Sequence, residues 1–512
     1  MKKAMLGLYR GTGLLVGIAV AICMAAVLGV GIKAPANHLI PWQMAAGTIL
    51  GTMLAVAAFF IADVFSVRMR KSGRKGRVWY PVVLLLYGLL LYLLGCFHRN
   101  SPDSFVDYGV IYRTAMEFAE HGEWQNSGYF LIYPNNFKMA LYLSVIFRAG
   151  KVLGFSDPYY FALGIGVLQV VAAMWAADDL LHALSDHARY RWLLTGAFVC
   201  LLPVYANSQA FYTDQMSYWQ TVCALALLRR ALQWYKKRKG MAIAAAVIAG
   251  ILCALGYTVK ATAVIAVIAA AIVWFLWKSS EGGTGDKFFP LLISVICCVV
   301  ALVFFEAWAG GYEVYRESKN TGNPLSSWIA IGLTGRGCYG EDPEYSRALN
   351  ALPTKAEKEQ LTEQYIKEHR DNFWSMDHLL AKLNCNFADG SLGTKDYTYL
   401  ALYPGNAVYE LFSPWGRHYW RTQQLCFVYL FTIYCVYLLG AVVSVIRWFV
   451  KRQISAAIMF VQLNLLGNIL FLMLWEANNR QLYNQMPVIL LGGVLNLALV
   501  KDFLKEQMAD KK

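Results

Sequence analysis

The chain has 512 residues and a formal net charge of +14; it is 58% hydrophobic and only 15% charged, with a mean hydropathy of +0.42. Soluble domains hold about 45–50% apolar and about 25% charged residues, so this composition excludes an ordinary cytosolic enzyme, a disordered chain, a collagen-like repeat and a small disulfide scaffold. The 27 Phe, 31 Tyr and 16 Trp suit a chain that meets lipid at many depths and places rings at the membrane–water boundary.

A spanning helix needs about 20 apolar residues. Such stretches occur near 11–31, 43–66, 79–97, 159–184, 192–211, 214–232, 241–257, 261–277, 288–309, 423–446, 454–475 and 482–500. The first is long and closely followed by a second, which separates it from a cleaved signal peptide. The segment 137–155 is apolar but interrupted by Lys138, Arg148 and Lys151, and it reads as interfacial or re-entrant. The expected fold is an all-α polytopic membrane protein of about 12–13 spanning or re-entrant helices. Four parts are expected: an N-terminal hairpin with a basic loop (1–78), a membrane module with an outer loop at 98–137 (79–309), an outer segment (310–422) and three last spans with a tail (423–512).

Lys and Arg in short loops mark the cytoplasmic side. Arg68, Arg70, Lys71, Arg74, Lys75 and Arg77 form one acid-free cluster, and Arg229, Arg230, Lys236, Lys237, Arg238 and Lys239 form another. With Lys2, Lys3, Arg447, Lys451 and Arg452 they place both termini in the cytoplasm of a cell-membrane protein. The positive charge is thus a topology signal, and no nucleic-acid partner is expected. The outer segment 310–422 holds 14 of the 32 acidic residues. Within it Thr354 and Glu357 have capping-box spacing, predicting a helix to about His369. Most Cys residues lie in apolar runs; Cys338 and Cys385 lie in the outer segment and allow one disulfide.

The polar residues that hydropathy leaves over are few. From Asp107 to Glu120, Val110, Ile111, Ala115, Phe118 and Ala119 recur at helical spacing, predicting a short amphipathic surface helix. Asp103 and Asp107 are candidate carboxylates there, or helix N-caps. Tyr133, Pro134, Asn135 and Lys138 lead back towards the membrane. Tyr212 and Asp214 stand at an outer junction, where a carboxylate needs a partner or water, or caps a turn. Lys260 lies between two apolar stretches, where it snorkels or holds a phosphate. Glu476 and Arg480 are four apart, as an intrahelical ion pair or as an anion site. No phosphate loop, HExxH, CxxC or paired His appears, and no metal or other cofactor is expected. Gly332, Gly335 and Gly337 read as turns.

The order of these elements resembles the polytopic GT-C glycosyltransferases, in particular the bacterial branch similar to the protein O-mannosyltransferases and the aminoarabinose transferases of lipid A. In the mannosyltransferases the first outer loop reads Asp-Glu, with an Ala eight residues after the Asp, then His-Pro-Pro with a Lys shortly after. Here Asp107 stands in the Asp place, Ala115 keeps its offset, Tyr133-Pro134-Asn135 replaces His-Pro-Pro, and Lys138 keeps its place. Tyr108 replaces the second acid, which points away from a true protein mannosyltransferase. The resemblance implies a sugar donor on a polyprenyl phosphate, membrane lipid as surroundings, and inverting transfer to a glycan, lipid or protein on the extracytoplasmic face. In that reading Asp107, or second Asp103, is the general base. Lys260, Arg480 and Lys138 receive the donor phosphate, and Tyr212, Asp214, Glu476, Tyr133 and Asn135 line the cavity. A lipid-linked-sugar transporter and a non-catalytic scaffold are the alternatives.

Overall fold

The computed structural model describes residues 2–34, 39–71, 75–99, 107–124, 127–184, 190–281, 288–398 and 405–509. The described residues are helical, with no strand among them. This follows from the solvent: in lipid every backbone polar group must be satisfied within the chain, and helices do this segment by segment.

Among the described residues ten segments are long and apolar enough to cross a membrane. They lie in α1 (Lys2–Lys33), α2 (Pro41–Lys71), α3 (Lys75–Phe97), α7 (Pro158–Leu184), α12 (Lys239–Val259), α13 (Ile265–Glu281) with the 3-10 turn Ala261–Val264 before it, α14 (Phe288–Gly310), α22 (Tyr419–Lys451), α23 (Ala456–Leu474) and α24 (Met486–Ala509), the last preceded by the 3-10 turn Asn479–Gln485. Between α3 and α7 come α4 (Asp107–His121), α5 (Ser127–Ile132) and α6 (Phe137–Val152). Four shorter pieces follow α7: α8 (Arg191–Cys200), α9 (Pro203–Asn207), α10 (Thr213–Met216) and α11 (Gln220–Trp234). The outer segment folds as α15 (Glu313–Thr321), α16 (Ser326–Ile331), α17 (Pro343–Ala351), α18 (Lys355–His369), α19 (Met376–Phe387), α20 (Thr394–Thr398) and α21 (Ala407–Phe412).

Two of the expected spans, 192–211 and 214–232, are not continuous helices. Pro203 cannot donate to the turn before it, and the backbone breaks again around Ala210–Tyr212 and at Ser217–Trp219. Freed polar groups at membrane depth need internal partners: Tyr205 donates to the Val199 carbonyl at 3.0 Å and Ser217 to the Thr213 carbonyl at 2.6 Å, and a buried side-chain network lies beside them. Tyr483 donates to Gln215 at 2.9 Å, Asn484 to Ser217 at 3.2 Å and Thr262 at 3.0 Å, and Gln485 to the Thr262 carbonyl at 2.8 Å. Elsewhere the helices touch closely. A Cβ on Gly440 of α22 would fall 1.9 Å from Asn496 Oδ1 of α24, so only glycine admits that crossing.

Contacts fix which helix ends share a face. At one end Tyr9 binds the Ile454 carbonyl (3.1 Å), Arg447 pairs with Glu506 (3.0 Å), Lys501 binds Tyr190 (2.9 Å), and Arg191 and Arg230 pair with Asp178 (2.8 Å) and Asp179 (2.7 Å). At the other, Arg99 pairs with Asp157 (2.7 Å), Lys138 with Glu306 (2.5 Å), and Asn384 binds the Ala34 carbonyl (2.8 Å). The first end carries the basic residues Arg229, Arg230, Arg447 and Lys451; the second carries the segment 310–422. Helix α6 starts beside Glu306 and leads into Asp157, both at the second end, so it runs across that end rather than through the bundle. Among the described residues, the chain thus passes between the two ends ten times as a full helix and twice through the broken pieces α8–α10 and α10–α11.

In the outer segment, α18 begins with the expected capping box: Thr354 Oγ1 accepts from the Glu357 N–H at 3.3 Å and Glu357 accepts from the Thr354 N–H at 3.1 Å. Cys338 and Cys385 form a disulfide that joins the loop after α16 to α19.

Candidate active site at the outer end

Four separate stretches of chain converge where α4, α10, the α12–α13 break and the α23–α24 junction meet. Asp107 opens α4, yet its carboxylate caps no backbone N–H. It accepts from Tyr129 at 2.8 Å and from Tyr212 at 3.1 Å, and Arg480 stands 3.9 Å away. Its side chain is 37% exposed, so one face stays open to solvent or a ligand. Tyr129 is held in turn by Asn136, which donates to its hydroxyl at 2.6 Å, while Asn135 donates to Asn136 at 3.1 Å. Burial first, and the Asp107 charge second, push the Tyr129 hydroxyl well above its ordinary pKa, so it stays a donor to the carboxylate.

Asp214 lies on α10 and is fully buried. It is ion-paired with Lys260 and accepts from Tyr397 at 2.6 Å. Lys260 reaches it because α12 ends at Val259 and the backbone turns extended at Lys260 itself (φ −154°, ψ 118°). Arg480 lies over the Tyr212 ring, 5.2 Å from its centroid. A Cβ on Gly393, which has φ +86°, would fall 2.6 Å from Arg480 Cβ, so glycine lets the loop before α20 close over the arginine. Glu476 is buried in the turn after α23. Helix α23 ends at Leu474 and a 3-10 turn begins at Asn479, so Glu476 and Arg480 do not share an α-helix and form no intrahelical pair. Burial lifts the Glu476 carboxyl to about 6, opposed chiefly by the Arg480 charge.

The structure therefore brings together Asp107, Tyr212, Asp214, Lys260, Glu476 and Arg480. Three candidates stand outside this cluster of contacts. Lys138 is committed to Glu306 and lies 5.5 Å from the Tyr315 ring centroid. Tyr133 bonds Tyr339 at 3.1 Å, towards the outer segment. Asn135 touches the cluster only through Asn136. Asp103 lies outside the described residues.

The resemblance implies that the segment 310–422 covers the site, but the sequence reading named no site residue in it. Tyr397 reaches Asp214, and Asp389 pairs with Lys395 beside it. The Asp396 carboxylate has no side-chain hydrogen bond or ion pair among the described residues; burial pushes its pKa up, opposed by Arg480 and Lys395. Their signal is faint: three ionisable residues and a tyrosine in a Gly-bounded stretch, with no period to separate them from a surface loop. Among the described residues no group of three or more His, Cys, Asp or Glu is placed to hold a metal ion.

Chemically, the cluster offers a half-open carboxylate fixed by two phenols, beside a guanidinium and an ammonium whose charges are balanced by buried acids. No curated protein matches the chain. No solved structure matches it either. Residues 42–500 match a family model described as "Conserved hypothetical integral membrane protein", a description that names the membrane class and no chemistry. With that match running from the start of α2 into α24, the chain belongs to this family of integral membrane proteins.

Proposed function

We propose that the protein is an integral membrane glycosyltransferase that moves a sugar from a polyprenyl phosphate to an acceptor hydroxyl on the extracytoplasmic face. The observation that carries this reading is the placement of Asp107 beside Arg480. A carboxylate with one open face lies within reach of a half-buried, always-charged guanidinium, at the end of the bundle where a lipid-borne donor presents its head.

In the reaction Asp107 takes the proton from the acceptor hydroxyl as its oxygen attacks the anomeric carbon. The bond from that carbon to the phosphate oxygen breaks with inversion, and the departing phosphate gains negative charge. Arg480, with its planar paired donors, receives that charge, and Lys260 adds to the field while staying paired with Asp214. Tyr129 and Tyr212 fix the carboxylate. No metal is required in this scheme.

Two observations support an extracytoplasmic site. Arg229, Arg230, Arg447 and Lys451 gather at the opposite end of the bundle, as the positive-inside tendency requires of a cytoplasmic face. The Cys338–Cys385 disulfide lies at the site's end, and disulfides persist outside the reducing cytosol. Both termini are then cytoplasmic. The test is release of polyprenyl phosphate by the full-length protein in lipid nanodiscs, supplied with a panel of polyprenyl-phosphate monosaccharides and membrane-extract acceptors. Release with at least one donor supports the reading; none with any donor–acceptor pair counts against it.

A further inference from the structure

A large cavity lies far from this site. It has a volume of about 1310 Å³ and lies at the basic end, walled by α1, α7, α11–α14 and α23, with side chains such as Leu6, Leu184, Leu228, Trp274 and Phe460. At about 300–1,000 Å³, sites for small soluble ligands are smaller and carry more converging polar groups. A smaller cavity of about 290 Å³ adjoins it, sharing Leu6, Tyr9, Ile454 and Ser455. Its lining is different in kind: Arg10, Arg447 and Arg452, with Ser444 and Gln453.

The charges of the small cavity are under-compensated. Arg447 pairs with Glu506 at 3.0 Å, but its Nε is buried without a partner. Glu506 also serves Lys451 at 2.9 Å. Arg452 ends α22 in the left-handed region (φ +53°), a conformation rare for a side chain other than glycine, and lies 4.1 Å over the Trp448 ring. The Arg10 guanidinium makes no hydrogen bond or ion pair among the described residues. Three guanidiniums therefore face one pocket with a single shared acid, next to a large apolar void opening among membrane helices.

We propose that this pair of cavities is a binding site for an anionic glycerophospholipid, distinct from the outer-end site. The phosphate and its headgroup charge sit among Arg10, Arg447 and Arg452, and an acyl chain passes Leu6 into the apolar cavity. Charge complementarity selects the headgroup: basic pockets between helices on the cytoplasmic side take anionic lipid heads. The apolar void selects a lipid over a free phosphate, because it has no other way to be filled from the bilayer. Helix α1, which lies outside residues 42–500, forms a wall of both cavities, so the site joins that helix to the rest of the bundle.

The test uses the full-length protein in phosphatidylcholine nanodiscs, titrated with phosphatidylglycerol of the same acyl chains and read by native mass spectrometry after gentle delipidation. The wild type should retain phosphatidylglycerol over phosphatidylcholine. Arg10→Gln with Arg452→Gln should weaken that preference by about fivefold per arginine, about 25-fold for the pair. Leu6→Trp, which fills the passage and leaves the charges, should lower retention of both lipids. Thermal unfolding in pure phosphatidylcholine reports that each variant folds. Equal retention of the two lipids by the wild type, or an unchanged preference in the double variant, overturns the proposal. So does stabilisation by inorganic phosphate equal to that by phosphatidylglycerol.

Discussion

The buried pair between Asp214 and Lys260 offers a sharp quantitative test of how the outer site is held together. Asp214 is 0% exposed and the Lys260 side chain 13% exposed, and they belong to elements 46 residues apart. Removing one partner of a buried pair typically costs about 3–5 kcal/mol, because the other charge stays behind unpaired. Asp214→Asn keeps an acceptor for Tyr397 but leaves Lys260 near Arg480 without its anion. Lys260 retains slight solvent access, so the low end applies, about 3 kcal/mol. Lys260→Met leaves a fully buried carboxylate held by Tyr397 and by the nearby Arg480 charge, also about 3 kcal/mol. The double variant has no orphan charge and should be no less stable than either single, giving a coupling of about 3 kcal/mol or more. Unfolding of the three variants in mixed micelles, followed by tryptophan fluorescence, measures this cycle. Additivity within about 0.5 kcal/mol would refute the claim that these groups share one buried site.

Other consequences follow from the same geometry. Glu476 has its carboxyl raised to about 6 in the folded protein against an ordinary 4.5, so the native state favours its protonated form. That contribution is fully present below about 4.5 and lost as pH rises through 6; Glu476→Gln should flatten this part of the stability–pH curve by roughly 2 kcal/mol, and an unchanged curve contradicts the assignment. Cys338→Ser opens a bond spanning 47 residues, and loop-closure entropy puts the loss at up to about 4 kcal/mol. Limited proteolysis should then cut between residues 332 and 387, and a digestion pattern like the wild type's would argue against it. Tyr129→Phe removes the 2.8 Å bond to Asp107, a hydrogen bond to a charged group worth about 1.5–3 kcal/mol, and should slow transfer by about tenfold or more with the protein still accumulating in membranes. Wild-type turnover in this variant would remove Tyr129 from the site.

Much of the architecture is legible in hydropathy because the bilayer imposes one length and one composition on every crossing helix. Ten stretches of that kind became full helices, and α4 and α18 follow from an apolar period and a capping box. The two stretches around 192–232 misled because hydropathy counts apolar residues and is blind to breaks at Pro203 and Ser217–Trp219. At the breaks, side chains close by in sequence take up freed carbonyls: Tyr205 donates to Val199 and Ser217 to Thr213. The core of the site was readable for a similar reason: Asp214, Lys260, Glu476 and Arg480 stand out as charges beside lipid. Tyr129 and Asp396 were not readable. A tyrosine near an interface and an acid in a polar segment are unremarkable until the fold sets them beside Asp107 and Arg480.

The account rests most heavily on the division of labour between Asp107 and Arg480. Labelled polyprenyl-phosphate sugar, once a working donor is known, separates binding from transfer in nanodiscs. Asp107→Asn should bind the donor with near wild-type affinity and lose transfer by about 10²–10⁴-fold, the usual contribution of a general base. Arg480→Gln should lose donor binding as well. Transfer at the wild-type rate by Asp107→Asn, in protein that folds and binds donor normally, would contradict the assignment of Asp107 as the base and with it the central claim.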